Sequence, residues 1–261
     1  MSSELKPSNL PESLLSEGRY WVTIEEVSDL LRRDRKALYP RLADLEKARQ
    51  IFSPAQGLYV VIPPEYRSWG VVPADWFIEP MMVRLKRMYY VSFLSAAARH
   101  GASHHAPQTF QVVVDQTLRD RDIERVRLRF VKNRRIGTAP YVAAQSRTGT
   151  FHLATKETTL VDLAWRPRLG GGIGNIATIL TELGELDVDE IARIAEARGR
   201  GTARRLGWLI QHYRPNLDPT GLRKVAEPGY GPPAVLFPGN PAAGEIDRMW
   251  GLRLNGSVEP D

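Results

Sequence analysis

Between positions 32 and 41 the chain carries five cations, Arg32, Arg33, Arg35, Lys36 and Arg41, against one acid, Asp34, with Tyr39 set among them. Cations gathered on one edge do the chemistry of phosphate recognition. Each can displace a counterion from a phosphate, and a guanidinium can in addition donate two parallel hydrogen bonds to a guanine edge. Arg32, Arg33 and Arg41 read as phosphate contacts, and Arg35, Lys36 and Tyr39 as base contacts, with Arg35 best suited to the bidentate role. Gln56, further along, is placed to reach a minor groove or its flanking backbone. A second basic set, Arg125, Arg127 and Arg129 within residues 119–135, reads as an extension of this footprint, as an RNA contact, or as ordinary solvated arginines on a strand pair. A third set, Arg198, Arg200, Arg204 and Arg205, falls at a helix junction where Thr202 is expected as an N-cap. It reads either as a nucleic-acid or partner contact at an anion-attracting helix start or as surface charge on a helical hairpin.

Other chemistries find no residue set. The chain has no cysteine, which removes disulfides, thiolate metal sites and cysteine nucleophiles together. His100, His104 and His105 lie close in sequence but lack a carboxylate to complete a metal site. The glycines from Gly170 to Gly174 follow an arginine-rich helix end and lead to no Lys-Ser/Thr, so they do not make a phosphate loop. Asp115 could open a nuclease core, but Phe130 stands two positions before Lys132 where the second acid is needed. No Gly-x-Ser-x-Gly elbow occurs. No metal, cofactor or catalytic activity is therefore expected.

The elements around the first cation cluster account for its placement. Thr23 and Glu26 have capping-box spacing, and Ile24, Val27, Leu30 and Leu31 follow at helical intervals. After the charged break, Leu38, Leu42 and Leu45 form a second helical stripe whose burial turns Arg35, Lys36, Tyr39 and Arg41 outward. Two short helices joined by a tight turn make a helix-turn-helix, and the strand-like runs 50–53 and 57–62 around a breaker-rich turn make its wing. Pro40 conflicts with the second helix, since a mid-helix proline costs about 3 kcal/mol, so this helix is expected to start late, near residue 36 or 37, or to bend.

Beyond residue 66 the pattern becomes mixed. Residues 67–77 form a packed connector with two tryptophans. Helices are expected over 78–87, 89–100, 158–165, 175–183, 188–197 and 202–213, and strands over 111–115, 125–131, 150–154 and 251–255. In 125–131 the arginines alternate with Val126, Leu128 and Phe130, which implies one cationic and one buried face. The expected fold class is α+β, with an N-terminal winged helix-turn-helix over 1–66 and a larger mixed α/β C-terminal domain over 78–261.

Charge is distributed unevenly. The net charge is +6, and residues 67–137 hold 13 basic against 6 acidic side chains while the flanking segments are balanced. No apolar run reaches the length of a membrane helix and residues 1–11 lack a signal-peptide core, so no membrane association and a cytoplasmic location are expected.

Four strings, at residues 57–66, 89–102, 107–112 and 156–163, resemble the AbiEi family in content and order. That family comprises antitoxins of AbiE-type toxin–antitoxin systems. The resemblance implies an N-terminal winged helix that binds repeats in double-stranded promoter DNA and represses its own operon. It further implies a C-terminal antitoxin domain that counteracts a nucleotidyltransferase-like toxin of the AbiEii type, with or without direct contact. One winged helix touches few phosphates, so a homodimer or cooperative binding to repeated half-sites is expected. The competing reading is a helix-turn-helix regulator whose second domain senses a small molecule.

Overall fold

The computed structural model describes residues 6–102 and 107–259. Its N-terminal unit runs α1 (Leu10–Ser16), β1 (Trp21–Thr23), α2 (Ile24–Leu31), α3 (Arg35–Lys47), β2 (Ile51–Ala55) and β3 (Leu58–Val61). The three strands form one antiparallel sheet in the order β1-β3-β2. The capping box of α2 is present: the Thr23 side chain accepts from the Glu26 amide, and the Glu26 carboxylate accepts from the Thr23 amide at 2.8 Å. Leu38, Leu42 and Leu45 are buried as their spacing requires, against Val27 and Leu31 and against Leu10 and Leu14 of α1, a helix the sequence reading leaves out.

Pro40 does not delay α3. The helix starts at Arg35, capped by the Asp34 side chain on the Lys36 amide at 2.8 Å, and continues through the proline. The ring removes the donor that the Lys36 carbonyl would have used, but both residues are exposed, where solvent can satisfy that carbonyl.

The three-stranded sheet is buried on both faces. Tyr59 and Val61 face the helices of the N-terminal unit, and Leu58 and Val60 face the core of the larger domain. Phe52 joins them there, meeting Phe77 edge-on at 5.2 Å between ring centroids.

The C-terminal domain continues with α4 (Ile78–Leu85), β4 (Tyr89–Val91), α5 (Phe93–Arg99), β5 (Phe110–Val114), β6 (Arg121–Ile123), β7 (Val126–Lys132), β8 (Tyr141–Ser146) and β9 (Gly149–Ala154). It closes with α6 (Lys156–Trp165), α7 (Ile173–Glu182), α8 (Val188–Arg198), α9 (Arg200–Tyr213), α10 (Thr220–Ala226) and the short strands β10 (Ala234–Val235), β11 (Ile246–Asp247) and β12 (Leu252–Arg253). Six strands make a mixed sheet in the order β6-β7-β5-β4-β9-β8, with β5–β7 and β4–β9 parallel. The helix expected over 89–100 is a strand followed by a helix. Tyr89, Tyr90 and Val91 are all buried in the middle of the sheet, and the chain turns through a left-handed Phe93 (φ 55°) into α5. Strands β6 and β8 and helix α10 add to the expected set.

Helix α6 runs through the centre of the helical layer, with every residue from Thr158 to Ala164 buried. Its Asp162 is fully enclosed and accepts from Tyr90 Oη, Ser92 Oγ and Arg198 Nε, each at 2.9 Å. Arg198 Nη2 also donates to Tyr90 Oη at 2.9 Å, and the guanidinium lies 5.2 Å from the Trp165 ring centroid. Burial pushes the Asp162 carboxyl up, with Arg198, Ser92 and Tyr90 pulling it back. A buried ion pair of this kind gains little over well-packed apolar residues, but removing one partner strands the other. Asp162→Ala is therefore expected to cost about 3–5 kcal/mol in urea unfolding, and an Asp162→Leu/Arg198→Met double variant less than Asp162→Ala alone. Equal losses for the two proteins would show that the pair is not the source of the penalty.

Candidate nucleic-acid interface

The turn between α2 and α3 fixes the cation ridge. Arg32 ends α2 in the left-handed region (φ 49°), the Arg33 amide donates back to the Ser28 carbonyl at 3.2 Å, and Ser28 Oγ donates to the Arg33 carbonyl at 2.7 Å. Asp34 then caps α3. With the leucine stripe buried beneath, Arg32, Arg33, Arg35, Lys36, Tyr39 and Arg41 all lie on the exposed surface of this turn and helix. Arg32, Arg33 and Lys36 have no ion-pair partner among the described residues, and Arg41 meets Asp44 only at 4.0 Å.

Arg35 is held differently. Its Nη1 lies 3.2 Å from Glu25 Oε1, while Glu25 Oε2 receives Arg84 Nη1 of α4 at 2.9 Å. Arg84 Nε in turn donates to the carbonyl of Gln56 at 2.9 Å. One carboxylate thus links the start of α3 to the C-terminal domain, and the same arginine pins the tip of the β2–β3 hairpin. Gly57, beside Gln56, adopts φ +73°, and a Cβ there would run into the Arg84 guanidinium, so a glycine is needed twice over. The Gln56 side chain remains exposed. Reasoning from sequence does not single out Glu25 and Arg84. They stand 59 positions apart in different elements, and no periodicity joins them.

The second basic set occupies another surface. Arg127 and Arg129 project from β7 while Leu128 and Phe130 are buried, and Arg125 lies 5.6 Å over the ring of Trp69. The β6–β7 turn approaches the far end of α3, where Glu124 meets Arg49 at 3.9 Å, roughly 20 Å along the helix from Arg35 at 1.5 Å per residue.

The third set is mostly internal, which corrects its reading as a contact surface. Arg198 is tied to Asp162. Arg204 is buried and donates to the carbonyls of Ala226, Glu227, Tyr230, Pro232 and Gly251 at 2.7–3.3 Å, holding the tail against α9. Arg205 donates to Val235 and Ala164 carbonyls, and burial lowers its guanidinium to about 10. Arg200 alone is exposed, paired with Glu227 at 2.8 Å and stacked 4.3 Å over Tyr230. Thr202 is not a cap: α9 begins at Arg200 after Gly199, and Thr202 Oγ1 donates back to the Arg198 carbonyl at 3.4 Å.

Among the described residues no group of three His, Asp or Glu side chains is arranged to hold a metal. His100 Nε2 is bonded to the Ala154 carbonyl at 2.8 Å, and His104 and His105 lie outside the described residues. No helix among the described residues is long and apolar enough to cross a membrane.

Residues 90–212 match the family model of the AbiEi antitoxin C-terminal domain. The AbiEi resemblance drawn from the sequence strings is borne out over that stretch, while the string at 57–66 lies outside it. No curated protein sequence matches the chain. Among solved structures, the RV2827C protein from Mycobacterium tuberculosis is similar at a TM-score of 0.67 with 15% identity, over 94% of this chain and 89% of that one. That likeness is one of fold.

The backbone amide at Glu25 itself, joined by Arg84 and Arg35, holds the Glu25 carboxyl below its ordinary value of 4.5. A carboxyl lowered in the folded state stabilises above its unfolded pKa, and that contribution is lost as pH falls through the folded one. Glu25→Gln is expected to cost no more than about 1 kcal/mol at pH 7, given the solvent exposure of the link. The difference from the parent protein should disappear in urea unfolding carried out well below pH 4.5. A difference unchanged in acid would assign the loss to something other than the charge.

Proposed function

We propose that this protein is the antitoxin of an AbiE-type toxin–antitoxin system, a binding protein without catalytic activity. In this reading residues 1–66 are a winged helix-turn-helix that binds repeated half-sites in double-stranded DNA at its own promoter and represses the operon. The C-terminal domain counteracts a nucleotidyltransferase-like toxin. The observation that carries the DNA reading is the ridge at the start of α3 and the turn before it: Arg32, Arg33 and Lys36 are exposed with no ion-pair partner among the described residues. The family match over 90–212 supports the antitoxin role.

Phosphate and base roles follow from position. Arg32, Arg33 and Arg41 flank the helix start and its outer edge, where duplex backbone would run. Arg35, Lys36 and Tyr39 occupy its first turns, the part that enters a major groove in helix-turn-helix docking. Arg35 must exchange its Glu25 partner for a base edge, so the acid sets a threshold that a well-matched guanine overcomes and random sequence does not.

A second reading, a regulator that senses a small molecule, has one observation in its favour. A cavity of about 660 Å³ lies between the N-terminal unit and the C-terminal domain, lined by Trp21, Thr23, Glu26, Pro80, Arg84 and Thr148 among others. A ligand there would touch the Arg84 link directly. A saturable small-molecule effect on DNA affinity would favour this reading, and rescue of growth during expression of a neighbouring toxin gene would favour the first.

Arg35→Ala is expected to weaken binding to the operator by about 1–3 kcal/mol while leaving binding to random duplex nearly unchanged. Arg33→Ala should weaken both and lower the salt slope by about one unit. Titrations of both variants on operator and random DNA over a range of salt check this. Equal losses of Arg35→Ala on the two DNAs would remove its base-reading role.

A further inference from the structure

On the C-terminal domain, away from the α3 ridge, a cavity of about 570 Å³ opens between the end of β7, the segment after α6 and the tail at Pro238 and Gly239. Four cations line it, Arg129, Lys132, Arg166 and Arg168, and no acid does. All four are exposed at the mouth of the cavity, so what sets them apart is that they converge on one concavity from two segments of the chain. The four around this cavity have neither an ion pair nor a side-chain hydrogen bond among the described residues; Arg166 only stacks 4.5 Å over the Trp165 ring. Like charges converging on one concavity repel one another, and the arrangement becomes favourable when an anion of several charges fills it.

A second feature points the same way. Gly239 adopts φ +109°, and a Cβ there would occupy the place of the Arg168 guanidinium. The tail gives way to the arginine at the rim instead of covering it. Phe130, Leu169 and Pro238 supply an apolar wall beside the charges. A concave site of this size with a cationic end and an apolar side suits a small ligand with a phosphate group and a flat ring. Arginine is also the side chain whose donor fork matches phosphate oxygens.

We infer that this cavity is a nucleotide phosphate site, taking the di- or triphosphate of a nucleotide with the base against the apolar wall. Successive phosphates of a single-stranded nucleic acid present the same chemistry, and the test separates the two sources. The inference does not rest on the promoter-binding reading, because the cavity and the α3 ridge share no residue.

The full-length protein is titrated calorimetrically at about 150 mM salt with ATP, with pyrophosphate and with a short single-stranded oligonucleotide. The parent is compared with Arg129→Glu/Arg168→Glu and with the charge-preserving Arg129→Lys/Arg168→Lys. Circular dichroism and duplex operator binding serve as readouts of folding and of the separate ridge. Saturable binding of ATP and pyrophosphate, weakened about 100-fold or more by charge reversal and about tenfold by the lysine pair, which keeps the charge but not the donor fork, is expected and assigns the free nucleotide. Binding of the oligonucleotide alone, lost on the same charge reversal, supports the site with a nucleic-acid strand as its source. Absence of binding by all three probes overturns the inference, as does binding that the folded charge-reversed protein retains. Should the charge-reversed protein unfold, Gly239→Ala, which displaces Arg168 without altering charge, is expected to weaken binding about tenfold in its place, and unchanged binding by that folded variant overturns the inference.

Discussion

The arrangement of this molecule depends on a four-residue strand buried on both sides. Leu58, Tyr59, Val60 and Val61 alternate between two cores, so the sheet that completes the N-terminal unit also closes the larger domain. A wing exposed on one face can move with respect to a neighbouring domain, but this hairpin cannot leave without opening apolar surface on two fronts. Polar contacts reinforce the same geometry: Arg121 donates to the Pro54 carbonyl, Arg84 to that of Gln56, and Arg147 to Tyr20 Oη at 2.9 Å. The α3 ridge is consequently mounted on the C-terminal domain as a fixed projection. The two parts are joined through this shared packing and not through an unpacked linker.

The larger domain has a different organising contact. Asp162 lies on the most buried helix and joins β4 through Tyr90, the start of α5 through Ser92, and the end of α8 through Arg198. A buried pair in that position adds little net stability, but a shift of one element would leave the other's charge without its partner. Arg204 acts similarly on the tail. Five carbonyls from residues 226–251 converge on one guanidinium, so a segment rich in proline and glycine, with only two-residue strands of its own, is held in a single path over α9.

How much of this is legible in the sequence depends on whether the signal is local. The Thr23–Glu26 box and the Leu38, Leu42, Leu45 stripe are short-range patterns, and both are realised as read. The Arg127 and Arg129 alternation with Leu128 and Phe130 is equally local and is likewise realised. Residues 89–91 mislead because three consecutive buried residues have no period, and the alanine-rich run after them extends the helical pattern backward over them. Strand β8 escapes because its residues are small or exposed at a sheet edge, where no alternation is imposed. The unbroken apolar run from Leu58 to Ile62 does carry the information that the hairpin is covered on both faces, since a wing open to solvent would alternate. Read as part of a wing, that run yields the strand but not its second partner.

The arginines mark where sequence reasoning stops. Arg35, Arg168, Arg198 and Arg204 all sit in charged, helix-associated stretches, and nothing within four residues of any of them separates the exposed from the buried. Their fates are decided by distant groups: Glu25 for Arg35, Asp162 for Arg198, the carbonyls of a tail more than twenty residues on for Arg204, and no acid at all for Arg168. Arginine as a residue type does not give up its proton in proteins, so a missing partner is not relieved that way. A buried arginine must therefore be matched by acceptors from the fold, and one that is unmatched must face solvent or await an anion. Which cations the fold pairs and which it leaves to solvent is thus a property of the assembled molecule, readable only once every acceptor has been placed.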